Sequence, residues 1–296
     1  MLVWQAHKAR IRQMAFSPDG AELATTAGSS KFVWRWHATT GEALDQLKGH
    51  AKYARAVAYS PDGRFVASTE NGPATRIWDR ATGELFATLG TGGWCRDSLA
   101  FRPDSLVVAV STRDGIGEWA VAPSEGRKAA KPVSQFDSRS SVHRVLYSPC
   151  GRYFAVIAYR DLVLYDAVSH ERLRSLHDPR VAADATHFAF APDGNTLAVV
   201  HGLRIRLRKM PDGEETVVLR GHPNYIHAVG FMPAGRTLLS AGADGVVRVW
   251  NATTGEQVRS FDWGIGKVCA AAIAPNGMLC AAGGENGAIV VWDVDE

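Results

Sequence analysis

The chain has 296 residues, 46% of them hydrophobic, and a formal net charge of +3 at pH 7. This charge is small for the length, so composition alone does not favour nucleic acid as a partner. The sequence has no run of about 18 apolar residues and does not begin with a basic segment and an apolar core. We therefore expect a cytoplasmic protein without a membrane span or a secretory signal.

The predicted elements, taken in chain order, are short strands that repeat around one proline turn. Successive prolines of this turn are 41 to 46 residues apart, and a fixed period in this range marks a repeat architecture. The seven copies are Ser17-Pro18-Asp19-Gly20, Ser60-Pro61-Asp62-Gly63, Arg102-Pro103-Asp104-Ser105, Ser148-Pro149-Cys150-Gly151, Ala191-Pro192-Asp193-Gly194, Met232-Pro233-Ala234-Gly235 and Ala274-Pro275-Asn276-Gly277.

A second series of residues runs in phase with the prolines, again 41 to 46 residues apart. Two series with matching spacing exclude coincidence, so the chain contains seven units. The second series is Trp36, Trp78, Trp119, Tyr165, Arg208, Trp250 and Trp292.

Each unit contains four strand-like segments joined by polar turns. In unit six they are residues 226–231, 237–241, 246–250 and 257–261, rich in Val, Ile, Phe and Trp. Gly, Pro or Asn/Asp-rich turns recur about every ten residues and leave no room for helices. Length alone would suggest two domains. Seven four-stranded blades instead predict an all-β, seven-bladed β-propeller of antiparallel blades, with residues 1–296 as a single domain.

These motifs resemble those of the WD-repeat β-propeller family over essentially the whole chain. The resemblance includes the Gly-His pair before a first strand, as in Gly221-His222, the proline turns, and Trp-Asp after a third strand, as in Trp78-Asp79. It implies a hydrogen-bonded tetrad of His, Ser or Thr, Asp and Trp in each blade. A buried indole or imidazole needs such partners, because an unsatisfied polar group costs about 1–3 kcal/mol.

One unit contains the whole tetrad, and the others are predicted to be held mainly by packing. The complete set is His222, Ser240, Asp244 and Trp250. The degraded units have His7, Thr26 and Trp36 with Ser30 at the acidic position; His50, Ser68 and Trp78 with Asn71 or Gly72; Arg208 for Trp in unit five; and Asn286 and Trp292 with Gly264 for His in unit seven.

The two ends of the chain are complementary parts of one blade. Residues 2–7 match the end of a unit, whereas the chain stops after the third strand of unit seven. We therefore predict that the N-terminal strand completes the last blade and closes the ring, which removes an exposed sheet edge.

No motif in the sequence supplies a catalytic or metal-binding constellation. GxSxG, GxxxxGK and HExxH motifs are missing, and the ten histidines are dispersed over the units. Cys95, Cys150, Cys269 and Cys280 form no CxxC pair, and free thiols fit a reducing compartment. We expect a non-enzymatic, monomeric protein without a cofactor or a bound metal.

The family resemblance implies that partner segments bind the face carrying the blade-to-blade loops and the turns between second and third strands. Arg and Tyr, which are enriched in binding hot spots, recur there, and the basic residues cluster in units one to four. We predict a protein-interaction scaffold for acidic or phosphorylated peptides. The candidate partner-binding residues are Arg10, Arg12, Tyr53, Arg55, Trp94, Arg113, His143, Arg160, Tyr225, His227 and Lys267.

Three other interpretations of this face stay open. The arginines could form an ordinary solvated rim. A propeller enzyme would need three or more acidic or His side chains around a pocket at the channel mouth. Nucleic acid, the less favoured partner, would show steep salt dependence. A basic loop over residues 123–132 is expected on the opposite face, either as a tolerated insertion or as a second docking site.

Overall fold

In the computed structural model, the described residues are 1–91, 98–112, 115–121, 132–136, 142–158, 161–176 and 185–294. They form 28 strands in seven four-stranded antiparallel sheets and contain no helix. Accordingly, no helix in this part of the chain is long and apolar enough to cross a membrane. The prediction of an all-β, seven-bladed propeller is confirmed.

The first three blades follow the predicted phase of the repeat, and each consists of four consecutive strands. Blade one contains β2 Ile11–Phe16, β3 Glu22–Ala27, β4 Val33–His37 and β5 Ala43–Leu47; blade two contains β6 Ala54–Tyr59, β7 Phe65–Glu70, β8 Ala74–Asp79 and β9 Leu85–Gly90; blade three contains β10 Leu99–Phe101, β11 Val107–Thr112, β12 Gly115–Ala120 and β13 Ser134–Phe136.

Blades four, five and six repeat the same order of strands. Blade four contains β14 Val142–Tyr147, β15 Tyr153–Ala158, β16 Asp161–Asp166 and β17 Arg172–Ser175; blade five contains β18 Ala185–Phe190, β19 Thr196–His201, β20 Arg204–Lys209 and β21 Glu214–Arg220; blade six contains β22 Ile226–Phe231, β23 Thr237–Gly242, β24 Val246–Asn251 and β25 Gln257–Asp262.

Blade seven joins the two ends of the chain. Strands β26 (Val268–Ile273), β27 (Leu279–Gly284) and β28 (Ala288–Asp293) are completed by β1 (Leu2–Gln5), which pairs antiparallel with β28. The register aligns Leu2 with Val291 and Gln5 with Ala288. The predicted closure by the N-terminal strand is confirmed, and the outer edge of β28 is covered.

Apolar side chains fill every interface between neighbouring blades. Seven buried clusters occur, and each combines residues from two adjacent blades. Between blades five and six, for example, Val200 and Leu207 pack with Leu238 and Trp250. Because each sheet buries both faces against its neighbours, the ring needs no separate central core.

The proline turns lie on one face of the ring and contact one another. In blade one, the Ser17 hydroxyl accepts a hydrogen bond from the Glu22 amide at 2.9 Å and donates one to Asp19 at 2.5 Å. Gly20 has a positive φ of 73°, and a Cβ there would lie 2.5 Å from the Asn276 side chain of blade seven. Glycine is therefore required both by the turn and by the close approach of the next blade.

The first strands of neighbouring blades lie next to each other around the axis at six of the seven junctions, the exception being β14 and β18. They therefore form the wall of a central channel. Each first strand enters from a blade-to-blade loop and ends at a proline turn, so the two ends of the channel differ in composition. The end near the blade-to-blade loops contains the candidate site.

A cationic cavity at the channel mouth

The blade-to-blade loops are held to the sheets by buried hydrogen-bond networks. In blade six, the Trp250 indole donates to the Ser240 hydroxyl at 2.8 Å, and that hydroxyl lies 2.7 Å from His222 Nε2. His222 Nδ1 lies 3.0 Å from the Asp244 carboxylate. The structure thus brings together all four residues of the predicted tetrad and fixes the loop that contains His222.

The proton positions in this network follow from the donor inventory. Because the Ser240 hydroxyl accepts from the indole N–H, its own proton can be directed at His222 Nε2, which leaves Nδ1–H for Asp244. A neutral imidazole satisfies these two links, while the Arg248 guanidinium, which can only donate, also lies 2.7 Å from Nδ1. Burial lowers the pKa of His222, and although burial also raises that of Asp244, His222 and Arg248 bring the pKa of Asp244 below its usual value.

Blade two contains a second complete set, which corrects the prediction that only blade six has one. His50 Nε2 lies 2.7 Å from Ser68 Oγ, and Trp78 donates to the same hydroxyl at 2.8 Å. The acid is Glu70, 3.2 Å from His50 Nδ1, and neither Asn71 nor Gly72 has this role. Its longer side chain reaches the imidazole from the last residue of β7, two positions before the one predicted from blade six.

Glu70 also anchors the loop backbone directly. Its carboxylate accepts hydrogen bonds from the amides of Ala51 and Lys52, at 2.8 and 3.2 Å, and from Arg76 at 2.9 Å. Burial raises the pKa of Glu70, but the bonds from His50 and Lys52 and the charge of Arg76 lower it to about 2. The loop leading to Arg55 is therefore held both by the His50 side chain and by the backbone amides of Ala51 and Lys52.

Blade one has a partial set in which Thr25 replaces the predicted Thr26. Thr25 Oγ1 lies 2.8 Å from His7 Nε2 and accepts from the Trp36 indole at 2.9 Å. Thr26 donates to the carbonyl of Arg55 in the next blade at 2.8 Å. Trp34 stacks on Trp36 and meets the His7 ring edge-on. Because burial is not offset by a carboxylate, the pKa of His7 is lowered to about 4.

A cavity of about 270 Å³ opens at the loop end of the channel. Basic side chains from five blades line it, together with Cys269 of blade seven, and none of the lining residues in the described part of the chain is acidic. The basic members are Arg10, Arg12, Arg55, Arg144, His187 and His227.

Four of the predicted partner-binding residues converge on this cavity: Arg10, Arg12, Arg55 and His227. The backbone fixes the orientation of two of them. Arg12 donates from Nε to the Gly28 carbonyl at 2.6 Å, and His227 Nδ1 donates to the Val268 carbonyl at 2.9 Å.

The other described candidates lie outside the cavity lining. Tyr53 and Tyr225 are 44% and 64% exposed on the surrounding loops. Lys267 forms an ion pair with Glu285 at 3.2 Å, and the Lys267 bonds lower the pKa of that carboxyl. His143 is half-buried on β14, beside the lining residue Arg144. Trp94, Arg113 and Arg160 lie outside the described residues, as does almost all of the 123–132 loop.

Arg144 and His187 line the cavity although sequence reasoning did not select them. Each of their strands is irregular where it faces the axis: in β14 the register shifts between Val142 and Arg144, and in β18 between Ala185 and His187. At such a bulge two residues oppose one, so spacing alone does not show which of the two lines the channel. Side-chain size is the missed signal, because the larger polar residue of Thr186-His187 lines the cavity.

His187 is the most strongly perturbed titratable group of the mouth. Its pKa lies well below the usual histidine value, because burial disfavours the imidazolium and Arg144 and His227 add positive charge. The pKa of the Cys269 thiol is raised, also mainly by burial. The mouth is thus a polar, basic cavity whose neutral groups are kept neutral by their surroundings.

The described lining of the mouth has fewer than the three acidic or His side chains named above for a propeller enzyme. Two histidines and no carboxylate belong to the described lining, and no group of three His, Cys, Asp or Glu side chains in the described residues could hold a metal ion. The arrangement can instead receive negative charge. Guanidinium groups bind carboxylate or phosphate through paired, charge-assisted hydrogen bonds.

The fold and its repeats define the class to which the chain belongs. The sequence profile of the WD domain, G-beta repeat family matches residues 1–37, 41–79, 213–251 and 255–293. These matches cover more than half of the chain and include both ends of the ring. The chain therefore belongs to the WD-repeat family, as its motifs predicted.

Several curated proteins are similar to this chain. The serine-threonine kinase receptor-associated protein of Gallus gallus is 21% identical over 98% of this chain and 81% of its own length. The small ribosomal subunit protein RACK1y of Oryza sativa subsp. japonica is 36% identical over 44% of this chain and 39% of its own length. A periodic tryptophan protein 2 homolog of Neurospora crassa is 34% identical over 38% of this chain and 13% of its own length.

Proposed function

We propose that this propeller is a non-enzymatic interaction scaffold that binds an acidic or phosphorylated peptide segment of a partner protein at the channel mouth. The observation that carries the proposal is the convergence of Arg10, Arg12, Arg55 and Arg144 on one cavity. Four guanidinium groups around a shared space attract an anionic side chain and can pair with it directionally.

The dimensions of the mouth favour a side chain over a larger ligand. Its volume of about 270 Å³ is slightly below the range of roughly 300–1,000 Å³ that holds drug-sized molecules, and it can accommodate one anionic side chain. The exposed rings of Tyr53 and Tyr225 lie on the loops around it, where they can contact the flanking residues of the peptide. We therefore expect one central anionic anchor and weaker contacts around it.

Similar proteins support the scaffold class in general terms. One similar chain is named as a receptor-associated protein and another as a ribosomal subunit protein, and both names describe proteins that act with partners. Membership of the WD-repeat family fits this role, because a propeller displays many loops on a rigid ring. Fold alone does not define the ligand, so the mouth has to be tested directly.

A peptide array tests the proposal across many candidate sequences at once. Each sequence is printed in three forms, with Ser, phosphoserine or Glu at the central position, and probed with the labelled full chain. The mouth variant combines Arg55→Gln and Arg144→Gln. The control variant combines Arg236→Gln and Arg259→Gln, two exposed arginines away from the mouth, and has the same net charge.

We expect the wild-type chain and the control variant to select the same phosphoserine or Glu peptides, with Kd values at least tenfold weaker in the mouth variant. Thermal unfolding of both variants verifies that they are folded. Equal peptide selection by the mouth and control variants would refute the proposal. Retention of all anionic sequences alike, with a steep salt dependence, would indicate nonspecific electrostatic binding instead.

A further inference from the structure

His187 has an unusual position in the mouth. It lines the cavity, and its Nδ1 atom is buried without a hydrogen-bond partner. A buried polar atom of this kind normally costs free energy unless a partner is supplied. In the blade networks, by contrast, both nitrogens of His222 are bonded. An imidazole left incompletely bonded inside a binding cavity is available to respond to a ligand.

The charges around His187 come from several strands. Arg144 on β14 and His227 on β22 belong to the two blades that flank β18, while Arg10, Arg12 and Arg55 lie on the other side of the cavity and Cys269 lies on β26. The described lining contains no carboxylate. Positive charge on these neighbours disfavours a further positive charge on His187 as long as the cavity holds only solvent.

We propose that the mouth binds a tetrahedral dianion, as found in a phosphate monoester, and that His187 takes up a proton when the dianion binds. This inference rests on the proposed function and deepens it by naming the ligand class and its regulation. Protonation gives the imidazole a positive charge, so His187 joins the guanidinium groups in attracting the ligand.

The direction of the pH dependence follows from linkage. Without a ligand, burial and the charges of Arg144 and His227 hold the pKa of His187 below its usual value, so the ring is neutral at pH 7. A bound dianion offsets those charges and raises the pKa. Between the two pKa values, affinity for the dianion increases about tenfold for each unit by which the pH falls. A carboxylate monoanion supplies half the charge and produces a smaller effect.

Sulfate is a suitable probe because it keeps its double charge throughout the relevant pH range, whereas a phosphate monoester titrates near pH 6. The experiment follows the histidine ring nitrogens of the full chain by NMR from pH 5 to 8.5. It compares sulfate, methanesulfonate and chloride at equal ionic strength. His187→Gln assigns the His187 signals, and His222, which is tied into its own network, serves as the internal control.

Relative to chloride, we expect sulfate to raise the pKa of His187 from well below 6.5 to at least that value and to leave the pKa of His222 unchanged. Methanesulfonate, a tetrahedral monoanion, should produce less than half of this shift. Sulfate affinity should be at least tenfold tighter at pH 5.5 than at pH 8. This gain should disappear in His187→Gln and shrink in Arg144→Gln, while Arg259→Gln should behave as wild type.

The outcomes separate this inference from the proposed function. If sulfate perturbs the amides of β14 and β18 but leaves the pKa of His187 unchanged, the proton coupling is wrong while anion binding at the mouth stands. If sulfate does not bind the mouth at either pH, the inference is overturned, and the peptide array separately decides whether acidic peptides bind. Equal shifts in sulfate and methanesulfonate would contradict the preference for a dianion.

Discussion

Blades six and five have a polar and an apolar side chain, respectively, at the same buried position of the repeat. The seventh residue after the turn proline is Ser240 in blade six and Val199 in blade five, and both are fully or almost fully buried. Ser240 connects Trp250 to His222, whereas Val199 packs among Ile157, Leu164 and other apolar side chains. At this position one blade has a hydrogen-bonded hydroxyl, and the other has an apolar side chain.

Each of the remaining blades also has either a hydroxyl or an apolar side chain at this position. Blades one and two have Thr25 and Ser68 at this position, each bonded to a Trp and a His. Blades three, four and seven have Val110, Val156 and Ala282, all buried. Replacing both partners of a buried hydrogen bond by apolar groups is often nearly neutral, whereas removing one partner is costly. Blade four, which has Val156 and Tyr165 in place of the hydroxyl and the Trp, is therefore not expected to be weaker for lacking this link.

The largest effect is expected when one member of the blade-six network is removed. Ser240→Ala leaves the Trp250 N–H and His222 Nε2 without their common partner and should lower the free energy of unfolding by about 2–4 kcal/mol. Urea unfolding at pH 7 measures the loss. In a Trp250→Phe background, which has no indole N–H, the same substitution should cost roughly half as much. Equal costs in the two backgrounds would show that the hydroxyl does not link these side chains.

The reciprocal change in blade five sharpens the comparison. Val199→Ser puts a hydroxyl into the apolar cluster that Val199 shares with Ile157 and Leu164. We expect a cost of about 1–3 kcal/mol because the hydroxyl is desolvated there, with Val199→Ala as the control for lost volume. If the Ser variant were as stable as wild type, the apolar blades would tolerate the polar residue, and the division between the two kinds of blade would fail.

A pH-dependent effect is expected in blade one, where the network contains no acid. The pKa of His7 in the folded chain is about 4 because burial disfavours its charged form, while the unfolded chain binds a proton near pH 6.5. The folded chain favours neutral His7. The stability that depends on this neutral form is therefore fully present above pH 6.5 and is lost as the pH falls toward 4. The expected loss is on the order of 2–3 kcal/mol.

His7→Gln removes the titrating group and should flatten this part of the stability curve. The urea midpoints of the wild type and the variant, measured from pH 7 to pH 4, should converge as the pH falls. The Glu70 carboxyl of blade two has its own transition at lower pH, because its pKa is about 2. Parallel curves for wild type and His7→Gln between pH 6.5 and 4 would mean that His7 takes up its proton equally well in the folded chain.

The repetitive part of this molecule could be predicted from the sequence, and the reason is physical. One turn fixes the phase of four strands, and seven copies define the blades, so the fold and its closure by β1 followed from spacing. Thr25 could also have been predicted from the sequence, because His7, His50 and His222 all precede their hydroxyl partner by the same interval, 18 residues. Counting from the histidine would have replaced Thr26 by Thr25.

Glu70 and the lining residues of the mouth could be identified only from the three-dimensional structure. Glu70 lies 20 residues after His50, whereas Asp244 lies 22 residues after His222, and only side-chain length makes the two equivalent. At the mouth, spacing selected His143, but the neighbouring Arg144 lines the cavity after the register shift in β14. Positions that depend on reach or on a bulge cannot be located by counting alone.

The smallest expected effect concerns the proline-turn face, where blades one and two are joined by charge. Arg80 of blade two pairs with Asp19 at 2.8 Å and Glu22 at 3.0 Å in blade one. Between blades four and five, on the same face, Arg152 bonds the neutral side chain of Asn195 at 3.0 Å. Arg80→Gln should cost about 0.5–1 kcal/mol, since ion pairs near the surface contribute little.

Salt distinguishes these two contacts. The cost of Arg80→Gln should diminish in 1 M NaCl, because screening weakens the ion pairs that the wild type can form. Arg152→Gln should show a smaller salt dependence, because the Asn195 side chain that it bonds across the interface is uncharged. Unfolding midpoints at low and high salt test both variants together. If the cost of Arg80→Gln were the same at both salt concentrations, the contact of the Arg80 guanidinium with the Tyr59 ring would account for it, since Cζ lies 5.7 Å from the ring centroid. Ion pairing would then not distinguish the two interfaces.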